Sequence, residues 1–475
     1  MDLTDWSALE LLALIEYELL LFAGFFFLLG AIDEFAMDAI WLWLRITGRS
    51  KTHSVKRADV RHRRLSGNIA VLIPAWQEAE VIGQTLGHAL KAWTHGNVDF
   101  YIGCYRNDPS SLQAAIEGAG GDPRVRLVVH DRAGPTTKAD CLNRLYRAME
   151  RDEAVRGRQF RTVVLHDAED LVDPAALGLI DRAIDDCEFV QLPVLPIPHP
   201  SSPWVGSHYC EEFAESHGKA MVVRDALGAG IPAAGVGCAF RRSLLARMVP
   251  SGHMAGDGTG PFSGLSLTED YELGLMVGAA GGRSRFLRVR GEDGQLIATR
   301  SYFPATLAEA VRQKSRWVHG IAFQGWDRLG WSGTLVENWM RLRDRRGPLS
   351  AVVLLTGYSL LVLALALTAL EVAGYDRPWE PTPLLVVLLG LNMAAFVWRV
   401  IMRFTFTARE YGPMEGLHAV LRIPLSNIIA IMAGRRALFA YGRTLGGADV
   451  IWDKTVHRDQ PALPQNLAAV MERGA

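Results

Sequence analysis

Residues Leu349 to Leu370 form a run of 22 residues without a charged side chain, and that run constrains the fold more than any other feature. A helix of this length crosses a hydrocarbon core of ~30 Å. A second uncharged run, Pro381 to Trp398, has 18 residues. Near the start of the chain, Leu19 to Ile32 is continuously apolar or glycine, and Leu11 to Ile15 precedes it across Glu16 and Glu18. The first 18 residues carry five acids and no base, the reverse of a cleaved leader, so the segment reads as a retained anchor.

The distribution of Lys and Arg sets the expected orientation. Arg45 to Arg64 holds eight Lys/Arg against one Asp, directly after the first apolar segment. Arg341, Arg343, Arg345 and Arg346 stand directly before the second, whereas the link Glu371 to Glu380 holds three acids and one Arg. The long middle region is therefore expected in the cytosol, with the N-terminus and that link outside. His418 to Tyr441 is apolar but broken by Arg422, Pro424, Arg435 and Arg436, a pattern that suits a helix lying in the interface. The expectation is three spans with the C-terminus inside; a fourth span would put it outside.

Composition adds exclusions. The 475 residues carry 50 Lys+Arg against 51 Asp+Glu, which argues against a nucleic-acid partner. The length calls for more than one domain. Five cysteines, Cys104, Cys141, Cys187, Cys210 and Cys238, show no C-x-x-C spacing and fit buried apolar side chains in a reducing compartment.

Residues 68–290 alternate short β-branched runs with helical stretches, which predicts an α/β domain with a mainly parallel, Rossmann-like sheet. Strands are expected at 69–74, 98–105, 125–130 and 162–167, with helices at 78–93, 109–119, 137–150 and 174–186. Ligands of such sheets bind at the carboxyl ends of strands. The first strand ends in Pro74-Ala-Trp-Gln-Glu78, the second in Tyr105-Arg-Asn-Asp108-Pro109, and the fourth in His166-Asp167-Ala168-Glu169-Asp170. Asp167 and Glu169 can aim two carboxylates at Mg²⁺ or Mn²⁺, which prefer oxygen ligands; acids decorating a helix N-terminus are the plainer alternative. Thr268-Glu269-Asp270 opens a further helical pattern, either as a simple cap or, at Asp270, as the carboxylate base of a glycosyl or phosphoryl transferase. Gln313-Lys-Ser-Arg316-Trp317 lies in an Arg/Trp-rich amphipathic stretch, 304–331, expected at a membrane surface.

In this order, Asp108, Asp167-Ala-Glu169, Thr268-Glu269-Asp270 and Gln313-x-x-Arg316-Trp317 resemble the signatures of the membrane-integrated family 2 glycosyltransferases, whose catalytic domain has the GT-A fold. The resemblance covers residues 68 to 332 and the flanking membrane helices. It implies that Pro74, Glu78, Asp108 and Lys138 hold the nucleotide of a UDP-sugar, and that Asp167 and Glu169 position donor and metal. Gly235 and Gly237 would let an acceptor sugar pass close to backbone. Asp270 would be the general base beside Glu269. Arg316 would neutralise the departing diphosphate, and Trp317, beside Gln313, would stack on the acceptor. Two departures stand out: Glu169 where Asp is usual, with Asp170 as a substitute ligand, and Gln77 where Asn is common.

His166 to Asp170, Tyr105 to Pro109 and Trp452-Asp-Lys-Thr455-x-His457 further resemble the NfrB-type subgroup of bacterial inner-membrane glycosyltransferases. That resemblance implies transfer of a hexosamine-type sugar onto a secreted exopolysaccharide, an outer-membrane export partner and control by cyclic di-GMP. The subgroup's cyclic-di-GMP-binding domain is expected to be absent from this chain. Single-sugar transfer to a polyprenyl phosphate is the alternative activity, and a non-catalytic scaffold of a phage-receptor or secretion system the alternative class. The expected organisation is an anchor (1–44), a basic juxtamembrane linker (45–67), the GT-A domain (68–303), amphipathic interface helices (304–347), two spans (348–402), an interfacial or re-entrant helix with a cytosolic segment (403–457) and a flexible tail (458–475).

Overall fold

The structure, a computed structural model, describes residues 7–249, 260–375, 379–447, 461 and 471. The Trp452 to His457 segment and nearly all of the 458–475 tail lie outside the described residues.

Among the described residues nine strands form: β1 (His53–Val55), β2 (Asn68–Pro74), β3 (Val98–Tyr105), β4 (Val125–His130), β5 (Phe160–Leu165), β6 (Phe189–Gln191), β7 (Cys238–Arg241), β8 (Ser284–Phe286) and β9 (Val289–Gly291). Seven of them make one sheet in the order β4-β3-β2-β5-β7-β6-β8. All neighbours are parallel except β7, which runs antiparallel to both β5 and β6. The expected mainly parallel α/β domain is present, and its sheet is mixed at β7. β1 and β9 pair in parallel outside it.

β2 is apolar on both faces because both are covered. Ile69, Val71 and Ile73 point into a core shared with the helices Ile82–Ala92 and Ala176–Ala183, while Ala70 and Leu72 point into a second core with Lys138–Arg156 and Glu269–Ala279. Because β2, β3, β4 and β5 run parallel, their carboxyl ends lie along one edge of the sheet, where the polar loops gather. All five cysteines are free and buried, as expected.

Among the described residues, four helices are long and apolar enough to cross a membrane: Ala8–Ile46, Gly347–Val372, Pro383–Tyr411 and Ile423–Leu445. The expectation was three, so length and composition admit one more candidate than the charge pattern suggested. The third helix also runs past the expected boundary at 402, to Tyr411.

Buried ion pairs join these helices to the α/β domain. Lys219, 2% exposed, reaches Asp38 at 2.6 Å, Glu215 at 2.7 Å and Glu34 at 3.3 Å. Arg399 pairs with Glu215 at 2.7 Å and Glu34 at 3.2 Å, and Arg343 and Arg346 both engage Asp33 and Glu34. Trp41 Nε1 donates to the Gly218 carbonyl at 3.0 Å and Trp398 Nε1 to Asp38 at 2.8 Å. A polar seam therefore locks the first and third apolar helices against the π-helical turn Ser216–Ala220.

Candidate active site

A cavity of about 300 Å³ opens at the carboxyl ends of β2, β3 and β5, the place where open α/β sheets bind ligands. Pro74, Glu78, Lys138, Asp167 and Glu169 form one part of its wall; Glu269, Asp270, Gln313, Arg316 and Trp317 form another. Segments some 240 residues apart in sequence thus meet in one cleft.

Lys138 begins the helix Lys138–Arg156, whose cap is the Thr137 side chain accepting from the Asp140 N–H. From there its ammonium reaches Asp167 Oδ1 at 2.5 Å. Burial disfavours the charge on Lys138, but Asp167, Glu269 and Asp270 together outweigh it and hold the group well above its ordinary value. Glu269 and Asp270 start the helix Glu269–Ala279, where acids face its N-terminal dipole. Burial, and then repulsion from Asp270, pushes Glu269 up to about 7 against the pull of Lys138. Burial likewise raises Asp270, again with Lys138 opposing. Glu269 Oε1 is buried with no hydrogen-bond partner, whereas Asp270 Oδ1 accepts from the Tyr271 N–H at 2.8 Å. The Glu269–Asp270 pair is held in a site that makes double ionisation costly.

Gln313, Arg316 and Trp317 share one face of the helix Leu307–Val318 through their i, i+3, i+4 spacing. Trp317 sits edge-on to Tyr209 at 6.1 Å and to Phe213 at 6.4 Å, which fixes its ring at the cleft. Gln313 Oε1 is buried without a hydrogen-bond partner.

Three expected site residues do not line the cavity. Asp108 supports it from behind: Oδ2 accepts from the Gln77 N–H at 2.5 Å, and Oδ1 from Ser110 Oγ and the Ser111 N–H. These bonds overcome the effect of burial and hold Asp108 below the usual carboxylate range. They also brace Gln77, whose φ of 53° is a left-handed conformation for a non-glycine residue. Gly235, at φ +74°, lies directly against the Asp270 carboxylate, with the Lys138 ammonium beyond it. Gly237 instead faces the Thr299 hydroxyl and serves the turn into β7. Asp170, the substitute ligand considered for Glu169, also lies off the cavity wall. Its Oδ2 shares 2.8 Å with His166 Nδ1 and accepts from the Asp167 N–H at 3.0 Å, so it shapes the loop instead of facing the cleft.

Replacing Gly235 by Ala is expected to cost at least tenfold in turnover. The new Cβ would overlap the Asp270 carboxylate, and the backbone there is one that L-residues rarely adopt. Steady-state kinetics on the folded variant checks this.

Several wall residues were not singled out by sequence reasoning. Trp76 lies within a motif already marked by its position after β2; its ring meets Tyr105 edge-on at 5.0 Å, and Tyr105 stacks on His130 at 5.0 Å. Ser216 and His217 belong to a π-helical turn, a feature with no spacing signature. His217 Nδ1 accepts from the Val194 N–H at 2.9 Å, which assigns the ring proton to Nε2. Burial pushes His217 down to about 4, so it presents a neutral N–H.

No cluster of three or more His, Cys, Asp or Glu side chains able to hold a metal occurs among the described residues. Asp167 and Glu169 offer two carboxylates at one wall, which fits a cation completed by diphosphate and water, not a closed protein cage.

A mostly parallel sheet crossed by one antiparallel strand, with acids at its carboxyl edge and the helix of Glu269 and Asp270 opposite, is the arrangement of a GT-A glycosyltransferase. The profile of the glycosyltransferase like family 2 matches residues 67–320, and the chain belongs to that family. It is 33% identical over 476 residues to the bacteriophage adsorption protein B of Escherichia coli strain K12. The same figure holds for the bacteriophage N4 adsorption protein B of Escherichia coli O157:H7. The match takes in 94% of this chain and 62% of each relative, so the chain spans less than two thirds of their length. Among solved structures, a mannosyltransferase from Pyrobaculum calidifontis in complex with GDP-Man and Mn²⁺ aligns with a TM-score of 0.46 at 15% identity, over 88% of this chain and 99% of that one. Glucosyl-3-phosphoglycerate synthase from Mycobacterium tuberculosis, in complex with Mg²⁺ and UDP, aligns with a TM-score of 0.34 at 13% identity, over 60% and 88%.

Proposed function

We propose that the chain is an inverting glycosyltransferase that moves a hexosamine-type sugar from a UDP-sugar onto a growing polysaccharide at the cytosolic face of a bacterial inner membrane. The observation that carries this reading is the meeting of Asp270, Glu269, Lys138, Asp167 and Arg316 in one cleft. An inverting transfer needs one base for the acceptor hydroxyl and positive charge where the diphosphate leaves, and no covalent nucleophile. Asp270 is the base. Lys138 and Arg316 stabilise the leaving diphosphate, and Trp76 offers a ring face to the base of the donor. Trp317 stacks on the acceptor sugar, and the His217 Nε2–H is a neutral donor for an acceptor oxygen. A divalent cation held by Asp167 and Glu169 would add Lewis-acid polarisation of the diphosphate.

The acceptor end of the cleft supports elongation at a membrane. Phe213, Ser216 and His217 line it, and their segment is the one locked against the first and third apolar helices through Lys219 and Arg399. The topology we favour keeps three crossings. Both ends of the helix Ile423–Leu445 bond to the α/β side: Arg422 pairs with Glu211 at 2.9 Å, and Tyr441 donates to Asp327 at 2.9 Å.

The reading is tested by UDP release from detergent-purified protein over a panel of UDP-sugars, with and without Mg²⁺ or Mn²⁺, followed by product sizing. A ladder of sugars is expected. A single-sugar lipid product would replace elongation by lipid glycosylation, and no release with any donor would remove the enzymatic reading.

The raised Glu269–Asp270 pair predicts the pH profile. Transfer needs the ionised base, so kcat/KM is expected to rise with pH and to level off only above the ordinary carboxylate range. Lys138 favours the ionised carboxylates, so Lys138→Met moves the rising limb to higher pH. Glu269→Gln removes a repelling charge and moves it lower. A limb that stays at the usual carboxylate range in all three proteins would contradict the assignment.

A further inference from the structure

Away from the cleft, at the polar ends of the first and third apolar helices, arginines gather around a single carboxylate. Glu410 Oε1 receives Arg288 Nη2 at 2.6 Å and Arg290 Nη2 at 2.5 Å, and Arg409 Nε lies at 4.0 Å. Glu410 is 3% exposed, so its charge is already spent on these partners. Arg45, at the end of Ala8–Ile46, is near enough to repel Arg409. Among the described residues, the other hydrogen bonds of this group go to neutral acceptors: Arg45 donates to the Ser50 carbonyl, Arg288 to the Thr52 hydroxyl and Arg290 to the Gly294 carbonyl.

Among the described residues, three guanidinium groups therefore share one acid, and a fourth, Arg45, adds like charge beside Arg409. Arg288 shows the strain most clearly. Its side chain is 7% exposed, and its Nε is buried with no hydrogen-bond partner. Burial, opposed by Glu410, acts together with the cations of Arg290 and Arg409 to push Arg288 down to about 10. Like charges held together at a half-buried site are relieved by an anion, and guanidinium forks match phosphate oxygens in pairs. The cluster draws on three separate segments, so it is assembled by the fold and is not a basic run of sequence.

We propose that Arg45, Arg288, Arg290 and Arg409 form a binding site for a phosphate-bearing anion. Two sources share that chemistry, the headgroup of an anionic phospholipid and a soluble phosphate compound. The site lies at the polar ends of two helices apolar enough to span a bilayer, which places a lipid headgroup within reach. The inference does not depend on the catalytic reading.

The test uses the full chain in a neutral detergent, with binding followed by thermal shift and native mass spectrometry. The probes are dioctanoyl-phosphatidylglycerol, dioctanoyl-phosphatidylcholine and sodium pyrophosphate. Stabilisation by phosphatidylglycerol but not phosphatidylcholine, weakened at least tenfold in Arg290→Gln and Arg409→Gln, establishes the site with a lipid occupant. Stabilisation by pyrophosphate with the same dependence establishes it with a soluble one. Arg409 is 34% exposed, so its variant keeps the test valid if a deeper substitution fails to fold. Arg435→Gln, an exposed arginine elsewhere, is expected to bind like wild type. Absence of binding by every probe, or equal loss in Arg435→Gln, overturns the proposal.

Discussion

Asp270→Asn is expected to lower the rate of sugar transfer by a factor of ~10²–10⁴, the range that a positioned general base contributes. The substitution keeps the shape and the contact to the Tyr271 N–H, but an amide cannot take a proton from an acceptor hydroxyl. It also removes one of the acids that hold Lys138 charged, yet leaves Asp167 at 2.5 Å from that ammonium. Donor binding is therefore expected to stay within a few-fold of wild type, as measured by UDP titration. A parallel loss of UDP affinity would assign Asp270 to the donor site, and unchanged turnover would remove it from catalysis. Glu269→Gln is the informative companion, since Glu269 has no hydrogen-bond partner on Oε1 and is coupled to Asp270 by charge repulsion.

The sequence made the sheet legible because β2, β3 and β5 are buried on both faces and so read as continuous apolar runs. β3 and β4 begin and end where the pattern placed them. Short strands such as β6 and β8, with three residues each, left no pattern to read, and the antiparallel β7 could not be anticipated from alternation alone. At the site, the acids were legible because chemistry limits which residues can do that work. What the sequence could not supply was direction. Asp108 and Asp170 look equivalent to Asp167 in a motif, but hydrogen bonds from neighbouring N–H groups turn both into supports for loops. His217 was invisible because its position depends on a π-helical turn, which is set by packing against Trp41 and Phe406 and not by any local pattern.

Lys219→Met is expected to give the largest loss of stability of any single substitution considered. Lys219 sits in that same turn, and its ammonium faces Asp38, Glu215 and Glu34 at 2.6 to 3.3 Å with 2% of the side chain exposed. Removing the cation leaves carboxylates buried between an apolar helix and the α/β domain, and breaking a buried pair from one side costs about 3–5 kcal/mol. Arg399 still serves Glu34 and Glu215, so the uncompensated charge falls mainly on Asp38, which keeps the Trp398 N–H and the weaker pull of the Arg399 charge. The double variant Asp38→Asn with Lys219→Met is therefore expected to recover part of the loss, because the orphaned charge is gone. Thermal unfolding in detergent measures both variants. Turnover should fall in the single variant below its unfolding temperature as well, since Ser216 and His217 lose the anchor that holds them at the acceptor end of the cleft. A single variant as stable as wild type would show that the seam is solvated and does not lock the domain to the helices.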